Sequence, residues 1–338
     1  MKVTKALTFR ASSIGDSLMG KYLLENIHAQ FPDARLGLLV ASRGAMIRDL
    51  FAAYPWLEVI ETNRKDMRGL WRLWKAFRGS DVVVTQYAGK PGGKFSLSSK
   101  LFARILAKRG GLAGFSDSWP YNALLYDTFV PLDAREAPAA HERALLKAVG
   151  IPVVLTNPEL TCLAQKGILE RVGVSSGAYV MVHLFAGNLS RGLSPEKRRE
   201  VVSMLQKNFP DKTILVTGVQ KERELALAAA EGVPNTRVIA GEVSLQEAMN
   251  LIMESSGVVS VDTGMAHMTA QLKKPLVVLA TCLGPNWWSP EQYGADRSMF
   301  VYTDPDAHPG GHVSQDYPLC INNISLSSIV AGAKALFV

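Results

Sequence analysis

The stretch Val258-Val-Ser-Val-Asp-Thr-Gly-Met-Ala-His267 decides the fold. Val258–Val261 reads as a strand buried on both faces, and helical spacing begins at Gly264. A buried strand running straight into a helix is the joint of a parallel α/β sheet. Asp-Thr-Gly also occurs in aspartic proteases, but those are all-β, and here the tripeptide opens a helix.

The same alternation extends outward in both directions. Behind this joint, strands are expected at Tyr179–Leu184, Thr213–Val216 and Val238–Ala240, and ahead of it at Leu276–Ala280. Between them fall helices at Pro195–Lys207, Glu222–Ala230, Leu245–Met253 and Gly264–Leu272. Ser194 and Ser244 stand as N-caps, with Pro195 at a first helical position. An amphipathic helix, Ser325–Phe337, closes the chain. The first half repeats the scheme, with strands at Ala6–Phe9, Leu36–Val40, Leu57–Ile60 and Val82–Thr85. Its helices are Ser17–Gln30, Ala45–Ala53, Met67–Phe77, Leu97–Leu106 and Glu142–Ala148. Residues 110–140 read as loop-rich, and 151–177, with Pro152 and Pro158, as a linker. The expected architecture is two doubly wound α/β domains across a cleft: 1–160, 161–324, and a terminal helix 325–338 packing back toward the first domain.

Composition narrows the class. The 338 residues are 48% apolar and 20% charged, which is globular and not disordered. Cys162, Cys282 and Cys320 form no C-x-x-C pair, so a zinc ribbon or thioredoxin motif is excluded and a reducing, cytoplasmic setting is expected. No apolar run approaches the ~20 residues of a spanning helix. Arg10 interrupts the first apolar stretch too early for a secretory signal. The net charge of +7 is uneven: residues 1–165 carry 22 basic against 14 acidic side chains, whereas the rest is near neutral. Residues 64–109 hold 12 basic side chains against Asp66 and Asp81. The first half is therefore expected to meet something anionic. Nucleic acid is disfavoured because no recognition motif is present.

Ligands of open parallel sheets bind beyond the carboxyl ends of the strands. After the first strand comes Arg10-Ala-Ser-Ser-Ile-Gly-Asp16. Gly15 lets backbone approach a ligand, and Asp16 sets a carboxylate at a helix start. The same spacing, Ser13-x-x-Asp16, also makes a capping box, and the residues alone leave both roles open. Thr263 and Gly264 present N–H groups at a helix N-terminus, an anion site that His267 could reach. Arg191 suits phosphate oxygens, and Glu222 a ribose hydroxyl. A Gly-x-x-x-x-Gly-Lys phosphate loop and a Gly-x-Gly-x-x-Gly turn are absent, which argues against a P-loop kinase or an ordinary dehydrogenase.

Arg10–Asp16, Phe31–Arg35, His141-Glu-Arg143 and Val261-Asp-Thr-Gly-x-x-His267-x-x-Ala270 together resemble glycosyltransferase family 9, the ADP-heptose lipopolysaccharide heptosyltransferases. The resemblance runs from about residue 5 through Cys320–Ile324 and the final helix. It implies a GT-B fold, with an N-terminal acceptor domain and a C-terminal nucleotide-sugar domain. It implies that Asp16 is a general base, with Arg191, Glu222, Asp262, Thr263, Gly264 and His267 on the donor. Ser13, Gly15, Lys100 and Arg104 would then face an anionic glycolipid or oligosaccharide acceptor. The chain departs from the family at Arg191, which stands for a usual Lys, and at Gly284-Pro285-Asn286 followed by Trp287 and Trp288.

The implied chemistry is inverting and metal-independent, without a cofactor, because the nucleotide-sugar is itself a substrate. Metal independence is what the resemblance implies, and the one Asp-x-Asp of the chain, Asp304-Pro-Asp306, is not read as a metal site. A nucleotide-sugar epimerase of the same architecture is the alternative, and it would leave the basic first half unexplained. In Met67–Phe77, Met67, Leu70, Trp71, Trp74 and Phe77 read as a core face, with Arg68, Arg72 and Lys75 largely opposite. Lys100, Arg104 and Lys108 form a second basic stripe, expected to rest against acidic lipids at the inner face of the cytoplasmic membrane.

Overall fold

A computed structural model describes residues 2–10, 13–63, 65–86, 94–133, 136–282, 294–302 and 319–337. They form two compact units that divide after Pro158, each built on its own parallel six-stranded sheet.

The first unit runs β1 (Lys5–Arg10), α1 (Ile14–Gln30), β2 (Arg35–Val40), α2 (Gly44–Leu50), β3 (Leu57–Glu61) and α3 (Met67–Phe77). It continues with β4 (Val82–Val84), α4 (Leu97–Leu106), β5 (Leu112–Phe115), α5 (Asn122–Leu125), β6 (Thr128–Val130) and α6 (Pro138–Ala148). The strand order is β3-β2-β1-β4-β5-β6, so the winding reverses between β1 and β4. There the connections leave to opposite sides and open a crevice at the strands' carboxyl ends. α1 lies beside that point and is buried on nearly every side by Leu18, Met19, Tyr22, Leu23, Leu24 and Ile27. Its outer flank is covered by residues 154–156. Asn26 accepts from the Val154 and Leu155 amides, and the Tyr22 hydroxyl donates to the Leu155 carbonyl at 2.8 Å.

The second unit runs α7 (Ile168–Val172), β7 (Tyr179–His183), α8 (Pro195–Asn208), β8 (Thr213–Val216), α9 (Arg223–Ala230), β9 (Thr236–Val238) and α10 (Leu245–Glu254). Then follow β10 (Gly257–Val261), α11 (Gly264–Gln271), β11 (Leu276–Leu279), β12 (Ser298–Val301), α12 (Leu319–Asn322) and α13 (Leu326–Leu336). The order β12-β11-β10-β7-β8-β9 repeats the winding of the first sheet, with its reversal between β7 and β10. Ser194 and Ser244 cap α8 and α10, as their spacing requires.

Three expectations need correction. Residues 110–140 hold β5 and β6, whose four and three residues are too short to show a strand period. The third strand of the second sheet, β9, begins and ends two residues before Val238–Ala240. The terminal helix belongs to the second unit. Its Ile329 and Ala333, with the capping Phe337, enter the core of the second, where a Cβ on Gly257 would run into the Phe337 ring. In α3 the inward face is Gly69, Leu73 and Phe77, which leaves Met67 and Trp71 in solvent, 72% and 61% exposed. The period is as expected, but the seam that meets the sheet is rotated away from those two side chains.

Candidate active site

In the first unit the crevice edge is built from Ser13 and Asp16. The Ser13 hydroxyl accepts from the Asp16 amide at 3.1 Å and donates to Asp16 Oδ2 at 2.6 Å. Capping and carboxylate placement are therefore one arrangement. Asp16 is half-buried, and Gly15 beside it lies in the first turn of α1.

Arg10, the last residue of β1, lies beneath. Its side chain crosses Gly20 of α1, where a Cβ would come within 2.7 Å of Arg10 Cγ. It ends on α6, donating to Glu142 Oε1 at 2.7 Å with both side chains out of solvent. Burial raises the Glu142 carboxyl to about 7 against the attraction of Arg10, and the Asp16 charge adds to the rise. Arg10 also borders a cavity of about 600 Å³ at the carboxyl edge of the sheet. Phe9, Thr62, Asn63 and Gln86 line it from the strand ends, and Phe95, Ser99 and Phe102 from around α4.

The two cationic residues assigned to the acceptor are both engaged in ion pairs. Lys100 is fully buried and donates to Asp117 Oδ2 and Asn122 Oδ1, each at 2.7 Å. Burial pushes the Asp117 carboxyl up, but Lys100 and the Phe95, Asn122 and Trp119 donors together hold it below its ordinary value. Arg104 pairs with Asp127 at 2.6 Å and donates to the Lys108 carbonyl, and Lys108 pairs with Asp81. The expected stripe of free cations is instead a set of internal ties. An isolated buried ammonium costs far more than a paired one, so Lys100 turns inward to its carboxylate.

In the second unit the crevice edge gathers residues from β7, β8 and β10. Arg191 sits in a single 3-10 turn, Leu189–Arg191, and its Nη1 lies 3.3 Å from Asp262 Oδ2. Asp262 follows β10 and precedes Thr263, the N-cap of α11. Thr263 makes no side-chain cap, and its hydroxyl donates instead to the Val261 carbonyl at 3.3 Å. The first-turn amides of α11, from Gly264 on, are thus open to an outside acceptor, with the positive end of the helix behind them. His267 sits one turn in, half-buried. Two junctions named from the sequence are therefore brought together: the Arg191 turn and the Asp262–Gly264 joint. Glu222 lies in the turn after β8, near enough to His183 for its charge to act on that ring, and its Oε2 accepts from the Val219 amide at 2.9 Å.

Two residues were missed by sequence reasoning. The Asn322 side chain accepts from the Ser194 amide at 2.7 Å and donates to the Gly192 carbonyl, fixing the loop that carries Arg191. No local pattern announces such a long-range clamp. His183 closes β7, with Nδ1 3.2 Å from the Thr217 carbonyl. Since a carbonyl only accepts, Nδ1 carries the proton in this contact. Burial lowers its pKa, which keeps the ring neutral at pH 7. Its place at a strand end beside the winding reversal was the signal available. Gly284–Trp288 lies outside the described residues. Among those described, no group of three His, Cys, Asp or Glu side chains could hold a metal ion, and no helix is long and apolar enough to cross a membrane.

Residues 193–293 match the family model for glycosyltransferase family 9 (heptosyltransferase). Among curated proteins no sequence match is found. The fold is that of solved heptosyltransferases. The ADP-heptose lipopolysaccharide heptosyltransferase II of E. coli is 20% identical, with 98% of each chain covered and a TM-score of 0.74. A family 9 glycosyltransferase of Veillonella parvula is 14% identical, covering 99% of this chain and 97% of that one, with a TM-score of 0.76. The E. coli heptosyltransferase WaaC, solved with ADP, is 18% identical, covering 98% and 99%, with a TM-score of 0.70. The resemblance and the GT-B architecture expected from the sequence are both found.

Proposed function

Starting from a glycosyltransferase with the heptosyltransferase fold, we propose that this chain transfers a heptose from ADP-heptose, with inversion, to a hydroxyl of a lipopolysaccharide-core or related glycan. The observation that carries the reading is the meeting of Arg191 and Asp262, 3.3 Å apart, beside the uncapped start of α11. A fixed guanidinium and a row of helix amides suit a diphosphate.

In the proposed step the acceptor oxygen bonds to the anomeric carbon as the bond from that carbon to the diphosphate oxygen breaks. Asp16 takes the acceptor's proton, and the nucleoside diphosphate leaves with the electron pair. A placed base contributes ~10²–10⁴ in rate. The charge that grows on the leaving group falls on Arg191, on the Thr263 and Gly264 end of α11, and on His267. This lets the chain's own cations and dipoles stabilise the departure without a metal. Glu222 and neutral His183 would meet the nucleoside at the β7 and β8 ends.

Binding of ADP, UDP and GDP measured side by side tests the donor assignment. ADP should bind at least tenfold more tightly, and equal affinities would contradict an adenine-specific site. Incubation with the nucleotide-sugar alone separates transferase from epimerase, since only an epimerase turns over without an acceptor.

A further inference from the structure

The proposed step leaves the cavity beside Arg10 unused. At about 600 Å³ it falls within the roughly 300–1,000 Å³ of small-ligand pockets. It lies within the first unit, and Phe9 and Arg10 place it at the end of β1, the strand that leads into Asp16.

Its walls have two characters. The rings of Phe9, Phe95 and Phe102 stand with Leu39 and Leu70 as an apolar surface. Six further lining side chains, from Thr62 to Ser99, carry a neutral hydroxyl or amide. An acyl chain would strip water from these six groups and give none of them a partner, which is costly. A pyranose ring matches both surfaces. Its C–H faces pack on aromatic rings, and its hydroxyls donate to and accept from amides and hydroxyls, which themselves do both.

Charge then separates one sugar from another. Among the described residues lining the cavity, only Arg10 is charged, and its guanidinium is committed to Glu142 Oε1 at 2.7 Å. α4 lines the cavity with Ser98, Ser99 and Phe102, while its two cations turn to other partners, Lys100 to Asp117 and Arg104 to Asp127. Lys94, just before α4, sets its Nζ over the Trp119 ring, 4.9 Å from the centroid. A carboxylate entering here would give up its water without gaining an uncommitted cation from these residues.

We propose that this cavity is a saccharide site that seats an uncharged pyranose unit of the acceptor glycan, stacked on the phenylalanine rings and held by Asn63, Gln86 and Ser99. That the sugar belongs to the acceptor rests on the transferase reading above, whereas the preference of the cavity for a neutral ring does not. A neutral seat thus replaces the cationic one expected from Lys100 and Arg104, and anionic groups of the acceptor fall outside it.

Saturation-transfer NMR titrations on the full chain, with and without saturating ADP, test this. The ligands are the methyl glycosides of glucose, galactose and mannose, each paired with its uronic acid counterpart, which keeps the ring and adds one charge. Hexanol is the acyl probe. At least one neutral glycoside should bind at least tenfold more tightly than its uronic acid and more tightly than hexanol. Gln86→Ala and Ser99→Ala should each weaken that binding by roughly two- to tenfold, at unchanged melting temperature and ADP affinity. Phe102→Ala should weaken it further, and if that variant melts early the two polar variants decide. Uronic acids binding as tightly as their neutral partners, hexanol binding more tightly than every sugar, no neutral glycoside bound, or full binding in both polar variants would each overturn the proposal. A chain that binds the neutral glycoside but not ADP would count against the donor assignment and leave the cavity assignment standing.

Discussion

The Ser13 hydroxyl bonds Asp16 twice, once to its amide at 3.1 Å and once to its carboxylate at 2.6 Å. One side chain thus ends the helix and orients the proposed base. Ser13→Ala should cost about 1 kcal/mol of stability, as for other N-caps. It should also lower kcat by roughly 10- to 100-fold through misplacement of the carboxylate, with little change in donor KM. Denaturant unfolding and steady-state kinetics read the two effects apart. A stability loss with unchanged kcat would reduce Ser13 to a cap.

Arg191 and Asp262 make a second testable pair. Arg191→Ala should weaken ADP binding far more than adenosine binding, because the guanidinium acts on phosphate. Asp262→Asn should weaken ADP binding less, since the arginine remains and loses only its anchor. Isothermal titration with both ligands checks this, and equal losses for ADP and adenosine on Arg191→Ala would remove Arg191 from the phosphate site.

Lys100 is expected to matter for folding. Lys100→Met leaves the Asp117 carboxylate buried beside the Phe95, Trp119 and Asn122 donors but without its cation. Breaking a buried pair from one side costs about 3–5 kcal/mol. The melting temperature should fall sharply. A variant of normal stability with a raised acceptor KM would restore Lys100 to the acceptor site.

Glu142 gives a pH dependence. Its carboxyl is raised to about 7 in the folded chain, above its ordinary value. Between those two values the folded state holds more protons than the unfolded one, so this contribution is present at low pH and fades as pH rises through 7. Stability should therefore decline from pH 5 to pH 8, and Glu142→Gln should flatten that decline. Urea midpoints across the range measure it, and an unchanged slope in Glu142→Gln would contradict the burial argument.

Much of the α/β frame was legible because strands such as Leu36–Val40 and Val258–Val261 are largely apolar, and because Ser194 and Ser244 mark the starts of α8 and α10. Helix rotation was not legible. In α3 the apolar residues outnumber the seats on the sheet, and only tertiary packing selects Leu73 and Phe77 over Met67 and Trp71. The residues proposed for the donor drew notice in the sequence because each follows a strand. Lys100 misled because a lysine at stripe spacing looks the same in sequence whether it faces water or a buried Asp117 seventeen residues on. The Arg10–Glu142 tie spans 132 residues and has no local signature.

Asp16 is the proposed base, and the rate of the purified Asp16→Asn enzyme decides whether it is. With saturating donor and acceptor, kcat should fall by at least ~10², while ADP affinity and melting temperature stay near those of the parent chain. An Asp16→Asn enzyme that turns over at the parent rate would show that Asp16 is not the base.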